Sequence, residues 1–189
     1  MDEPAEDLGL TDFGLRRWRM SDVDALEGAM CESRDHLAQW MPWAASADRA
    51  HVIGFLTRNI EEWESRRTFG YAITSDDVVI GACSLMRRHT NGLDIGYWLH
   101  PQWTGRGLAT MATAALVAQG FRLTGISHIE IHHDAANSAS GAIARRLGFT
   151  EIGRVRLPEG PVTSGEVGID VVWRITADEW KAAASHSPW

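Results

Sequence analysis

With 189 residues, 44% of them apolar, the chain has material for one substantial core and reads as a single domain. Its 18 basic residues face 25 acidic ones, a formal charge of −7, which argues against nucleic acid as a partner because affinity for a phosphate backbone comes largely from cationic contacts. Lys181 is the sole lysine, so positive charge comes almost entirely as guanidinium groups suited to phosphate and carboxylate. No apolar run approaches the roughly 18–20 residues that cross a bilayer, so no membrane partner is expected. Cys31 and Cys83 are too few for a disulfide framework or a metal site and read as buried thiols in a reducing compartment.

Residues 1–12 are acidic, contain Pro4 and lack the basic and apolar regions of a secretory signal. They read as a disordered tail, and the location is expected to be cytoplasmic. The domain is expected over 13–184, with a second tail at 185–189. Phe13 to Met20 reads as a strand, and Ser21-Asp-Val-Asp24 has the spacing of a capping box opening a helix toward Arg34. Leu37 to Trp43 reads as an aromatic loop, since Pro42 biases its predecessor away from helix. Val52, Ile53, Leu56, Ile60 and Trp63 have helical spacing within Arg49–Arg67.

Phe69 to Thr74 and Val78 to Met86 read as a hairpin turning at Asp76-Asp77, followed by a strand at Leu93 to Leu99. A helix is expected from Gly107 to Leu123, a strand over His128–His133, and a helix from about Asn137 to Leu147. Strands at Phe149–Arg156 and Val167–Ile175 and a helix capped by Thr176-Ala-Asp-Glu179 complete the order. The elements describe an α/β (α+β) fold, one mixed sheet of about seven strands flanked by helices.

The informative stretch runs from Leu99 to Thr110, where a strand passes through a glycine-bearing turn directly into a helix. Unpaired amide N–H groups at such a helix start, together with its dipole, favour an anion. Gly105 and Gly107 let backbone approach that anion closely. The spacing Q-x-x-G-x-G from Gln102 is neither the Rossmann nor the P-loop pattern.

Here the sequence resembles the GCN5-related N-acetyltransferase (GNAT) superfamily, whose acetyl-CoA pyrophosphate turn is [QR]-x-x-G-x-[GA] at this junction. Asn137-x-x-Ser140 and Leu147-Gly-Phe149 extend the resemblance. His36-Leu-x-x-Trp-x-Pro-Trp43 and Ile95-Gly-Tyr-Trp-Leu99 look like its RimJ/RimL branch, so that it covers roughly residues 13 to 182. It implies acetyl-CoA as co-substrate, no metal, and cofactor contacts from Trp98, Leu99, Gln102, Trp103, Thr104, Gly105, Arg106, Gly107, Leu108, Ala109, Asn137 and Ser140.

Many superfamily members carry a tyrosine where this chain has Ala144. The branch carries a serine at the position of Ser140, which makes Ser140 the candidate acid for the departing thiolate. A thiol with a pKa of about 8.5 needs only modest help to leave. An amine nucleophile must also lose a proton. Similarity to the branch's Arg-x-x-Glu segment makes Glu159 the expected base, with Asp94, Glu166 and Asp170 in reserve, although Gly160–Gly165 departs from the pattern.

Trp40 and Trp43 are expected at the acceptor pocket, together with Asp94, and that pocket is expected to carry a net negative field. Arg145-Arg146 is either a solvated helix face or a contact to the cofactor's 3′-phosphate. His132-His133 carries no metal spacing. The expected activity is transfer of an acetyl group to a small-molecule or peptide amine: a protein N-terminal α-amine, a metabolite amine or an antibiotic amine. Another acyl-CoA such as succinyl-CoA, a non-catalytic acyl-CoA-binding regulatory module, and a homodimer remain open.

Overall fold

The acidic start of the chain joins the sheet instead of fraying. In the computed structural model, which describes residues 2–184, β1 (Asp7–Gly9) pairs antiparallel with β2 (Gly14–Arg17). The acids that suggested a tail find basic partners, Glu6 on Arg17 at 2.8 Å and Glu3 on Arg66 at 3.0 Å, while the Tyr71 hydroxyl donates to the Ala5 carbonyl at 2.8 Å. Met1 and the expected tail at 185–189 lie outside the described residues.

After β2 a 3-10 turn at Met20–Asp22 leads into α1 (Val23–Glu32). Asp22, not Ser21, ties this junction: its carboxylate accepts the Arg19 N–H at 2.9 Å and both guanidinium arms of Arg16 at 2.8 and 2.9 Å. Burial works against the Asp22 charge, yet Arg16 and the Arg19 amide outweigh it and hold the carboxyl below its ordinary range. The expected loop is partly helical, with α2 at Arg34–Leu37 and a 3-10 turn at Pro42–Ala45. Asp48 then caps α3 (Arg49–Glu64), accepting the His51 N–H at 2.8 Å.

β3 (Thr68–Ser75) and β4 (Val78–His89) form the hairpin, with Asp76 and Asp77 at φ of 48° and 63°, the left-handed pair that a tight hairpin requires. There follow β5 (Gly92–Leu99), α4 (Leu108–Gly120), β6 (His128–Asp134), α5 (Ser138–Arg146), β7 (Thr150–Arg156), β8 (Ile169–Thr176) and α6 (Ala177–Ala184). The sheet has eight strands in the order β1-β2-β3-β4-β5-β6-β8-β7, and β1 is the strand sequence reasoning left out.

Strand alternation divides the core between the two faces. Leu93, Ile95 and Leu99 of β5 pack with Ile129 and Ile131 of β6 and with Leu116 and Val117 of α4. Trp98 of β5 points the other way, joining Ala82, Leu26 of α1 and Val52 and Leu56 of α3. Cys83 is buried, which pushes its thiol pKa up, whereas Cys31, expected inside, lies exposed on α1.

The feature that positions the site is the seam between β5 and β6. These strands run parallel and pair only from Gly92 against His128 to Ile95 against Ile131, although β5 continues to Leu99 and β6 to Asp134. Beyond Ile95 they part, and the side of β5 that faces β6 has no strand to complete it.

Candidate active site

The parted strands open into a cleft of about 720 Å³. Its walls are the ends of β5 and β6, the starts of α4 and α5, and the segment around α2. Trp98, Leu99, Thr104, Gly105, Gly107, Leu108, Ala109, Asn137 and Ser140 all line it, so nine of the expected cofactor contacts share one volume. Gly105 and Gly107 have φ of 74° and 80°, and a Cβ on either would meet nothing within 4 Å. The turn is therefore left-handed by need and open in front, with the first amides of α4 facing unfilled space.

Gln102, Trp103 and Arg106 are not part of that lining. The Arg106 guanidinium folds back over the Trp103 ring at 4.8 Å and donates to the Gln102 carbonyl at 3.0 Å, while Trp103 itself packs partly buried against the core. The adjacent arginines also separate. Arg146 lines the cleft, while Arg145 stacks on Trp173 at 5.4 Å.

Ser140 is buried in the first turn of α5, and its hydroxyl lies 2.7 Å from the Tyr97 hydroxyl. Burial raises the Tyr97 phenol to about 12, so near neutral pH it keeps its proton and can donate to Ser140. Sequence reasoning missed Tyr97, yet its signal was present: it shares the face of Ile95 and Leu99 by strand alternation. Asn137 caps α5, its side-chain oxygen accepting the Ser140 N–H at 3.1 Å, and also lines the cleft. Ala144, where a tyrosine was looked for, is fully buried core.

The expected base is not brought to this centre. Glu159 is exposed on the β7–β8 connection and lines neither of the two clefts described here, nor does Asp94. Glu166, further along the same connection, does line the cleft, and one of its oxygens accepts the N–H groups of Val162 and Thr163 at 2.7 and 3.0 Å. This connection is a strap tied at both ends beside the cleft, and Glu166 is its residue at the cleft wall. At one end Gly165 N–H and the Thr163 hydroxyl donate to the Gln39 carbonyl at 3.1 and 2.6 Å. At the other, the Asp134 carboxylate accepts from Val167, Gly168 and Ile169 at 3.0, 2.8 and 3.2 Å. Burial is the largest single influence and opposes the Asp134 charge, but these donors and Ala136 N–H together outweigh it and hold its carboxyl below the ordinary range.

A second cleft, about 460 Å³, opens on the opposite face of β4 and β5. Trp43 lines it and stacks on His51 at 5.8 Å and 18°, whereas Trp40 lines the first cleft. Met41, Gly96, Tyr97 and Trp98 belong to both walls. Arg58, Arg67, Arg87 and Arg88 line this cleft against one lining carboxylate, Glu62, whereas a negative field was expected of the pocket that takes the acceptor.

The paired histidines part company as alternate strand residues must. His133 is held on one face, with Nδ1 against the Asp134 carbonyl at 2.7 Å and Nε2 accepting the Trp173 indole N–H at 2.9 Å. His132 bridges Asp170 at 2.8 Å and Glu130 at 3.3 Å, and Glu130 also accepts from Arg174 at 2.7 Å. Burial disfavours the His132 cation, but the two carboxylates prevail and raise its pKa. Asp94, Glu130 and His132 have ligand atoms within 4.8 Å of one another, and Arg174 already neutralises the Glu130 carboxylate there.

A sheet parted beside a glycine-bearing helix start is the arrangement that the resemblance to the acetyltransferase superfamily led one to expect. Residues 12–150 match the Acetyltransferase (GNAT) domain family, and the chain belongs to this family of N-acetyltransferases. It is 22% identical over 173 residues to the Bacillus subtilis (strain 168) protein named "Putative ribosomal N-acetyltransferase YdaF", covering 88% of this chain and 92% of that one. RimL, the ribosomal L7/L12 alpha-N-protein acetyltransferase solved with coenzyme A, superposes with a TM-score of 0.84 at 24% identity, over 92% of this chain and 99% of that one. Mycobacterium smegmatis RimJ with CoA-disulfide gives 0.79 at 24% identity, over 94% and 91%.

Proposed function

We propose that the protein moves the acetyl group of acetyl-CoA directly onto a primary amine in a ternary complex, with a protein N-terminal α-amine as the acceptor class. The cofactor occupies the first cleft and the acceptor the second. The observation that carries this reading is the shared wall: Gly96, Tyr97 and Trp98 border both clefts, so two substrates entering from opposite faces meet at the parted end of β5. The names of RimL and YdaF favour the protein amine over other amines.

The residues present fit a coenzyme A ester. The start of α4 offers amide donors to the pyrophosphate, Arg146 offers charge to a further phosphate, and the uncompleted edge of β5 offers peptide groups to the amides of the pantetheine arm. The same edge supplies a backbone N–H to the oxygen that becomes negative when the amine attacks the thioester carbonyl. As the carbon–sulfur bond breaks, the Ser140 hydroxyl gives its proton to the thiolate and recovers one from solvent. Tyr97, donating to the Ser140 oxygen, keeps the serine proton directed into the cleft. The amine's proton leaves to Glu166, directly or through water, the carboxylate that the strap holds at the cleft wall.

Thiol release from acetyl-CoA in the presence of short N-terminal peptides, with the acetylated amine located by mass spectrometry, tests this reading. Release that depends on the peptide and a mass gain on its α-amine are expected. Binding of acetyl-CoA without release toward any amine would overturn it in favour of a cofactor-binding regulatory module.

A further inference from the structure

The second cleft carries a charge that the rest of the molecule does not lead one to expect. In a chain of formal charge −7, three separate segments bring arginines to one concavity: Arg58 from α3, Arg67 from the α3–β3 connection, and Arg87 and Arg88 from the end of β4. Elsewhere Arg16, Arg17, Arg49, Arg66, Arg154 and Arg174 each bind a carboxylate, while Arg34 and Arg106 bind carbonyl oxygens and Arg145 lies over Trp173. In the cleft several arginines gather with donors to spare. Arg58 makes no hydrogen bond or ion pair with a described residue. Arg67 spends only its Nε, on the Ser65 hydroxyl at 3.1 Å, and Arg87 only its Nε, on the Arg66 carbonyl at 3.0 Å. Both forks remain open. Arg88 differs, its Nε standing 4.0 Å from Asp94.

Guanidinium groups cannot shed their charge at any relevant pH, and several facing one concavity repel one another. A cleft walled by Trp18, Trp43 and Phe55 lowers the local dielectric and concentrates the resulting field. Such an arrangement is relieved by an anion that accepts from the open forks, and carboxylate and phosphate both match their planar geometry. The amine being acetylated is cationic before it reacts, so this charge does not suit the amine itself. It suits a group further along the same molecule.

We propose that the acceptor carries an anionic group beyond its reacting amine, bound by Arg58, Arg67 and Arg87 at the outer part of the second cleft. This rests on the reading of that cleft as the acceptor site. The shared chemistry is an oxyanion, whether the carboxylates of an acidic N-terminal peptide or the phosphate of a phosphorylated amine.

The test measures thiol release with three tetrapeptide amides, Ser-Asp-Asp-Ala, Ser-Asn-Asn-Ala and Ser-Lys-Lys-Ala, and with phosphoethanolamine against ethanolamine. In at least one series the anionic member is expected to exceed its neutral counterpart by about tenfold or more in kcat/KM, with the lysine peptide below the asparagine one. That preference should shrink as salt rises from 20 to 300 mM and fall severalfold in Arg58→Gln and Arg87→Gln, while Arg58→Lys retains part of it and acetyl-CoA affinity is kept in all three. A response to the peptides alone assigns a carboxylate source, and a response to phosphoethanolamine alone assigns a phosphate. Equal rates across both charge series, or a preference for the lysine peptide, would overturn the proposal and leave the acetyltransferase reading standing on the release from neutral peptides. No release from any acceptor would overturn the reading beneath it. The salt series needs no variant, so a poorly folding substitution does not decide the outcome.

Discussion

Tyr97 of β5 and Ser140 of α5 meet hydroxyl to hydroxyl, 2.7 Å apart, across the seam where the sheet parts. One oxygen is the candidate proton donor and the other fixes where that proton points. Ser140→Ala is expected to lower kcat by about tenfold or somewhat more with little change in the KM for acetyl-CoA, because an acid assists the departing thiolate and not binding. Tyr97→Phe should lower kcat severalfold. The double variant should be no slower than Ser140→Ala alone, since the phenol acts through the serine. Steady-state thiol release checks all three, and additive losses would make Tyr97 a packing residue only.

Gly105 and Gly107 combine a left-handed backbone with open space ahead of α4. Gly105→Asp and Gly107→Asp place a negative charge where the pyrophosphate of coenzyme A is proposed to sit and strain the turn besides. Titration calorimetry is expected to show acetyl-CoA affinity reduced by a factor on the order of 100, while Gly105→Ala, which adds strain without charge, should lose far less.

The two tryptophans of the 37–43 segment face different clefts, Trp40 the first and Trp43 the second. Trp43→Ala should therefore raise the KM of the acceptor and spare acetyl-CoA, whereas Trp40→Ala should do the reverse. Both side chains are only partly buried, so neither change should approach the 3–5 kcal/mol cost typical of removing a core aromatic. Paired kinetics on thermally stable variants separate the two effects.

His132 stands between Asp170 and Glu130 with its pKa raised above the ordinary value near 6.5. A group whose folded pKa is raised stabilises the fold fully below its unfolded pKa and loses that contribution as pH climbs through the folded value. The melting temperature of the native protein should accordingly exceed that of His132→Gln by the widest margin below about pH 6. The margin should narrow across the alkaline side of neutrality, which a series of thermal melts from pH 5 to 9 would trace.

Much of this was legible because local chemistry and global fold agree. The Asp76-Asp77 turn, the capping of α6 by Thr176 and Glu179, and the Q-x-x-G-x-G junction each follow from a few neighbouring residues. What escaped depends on distant partners. The acidic start reads as a tail until Tyr71 and Arg17, far along the chain, supply its hydrogen bonds. Gln102, Trp103 and Arg106 lie inside the motif yet do not line the cleft, Arg106 lying over the Trp103 ring and Trp103 packing against the core. Glu159 and Glu166 are seven residues apart on one strap, and its ties to the Gln39 carbonyl and the Asp134 carboxylate, both distant in sequence, place Glu166 at the wall. The arginines of the second cleft escaped for the same reason: net charge says nothing about which three segments a fold gathers.

The seam between β5 and β6 behaves as the pivot of a pair of scissors. Four residue pairs, Gly92–Ile95 with His128–Ile131, make up the strand pairing that joins the five strands on one side to the three on the other, and the blades part beyond them. The pivot is backed by Gly120 of α4, where a single added methyl would stand 2.7 Å from Ile129 and 3.1 Å from Leu93. The strands diverge toward Trp98 and His132 from an end that close side-chain packing fixes. A side chain added at Gly120 would therefore disturb the joint between the two halves of the sheet while touching no residue that borders either cleft, since Gly120, Leu93 and Ile129 line neither.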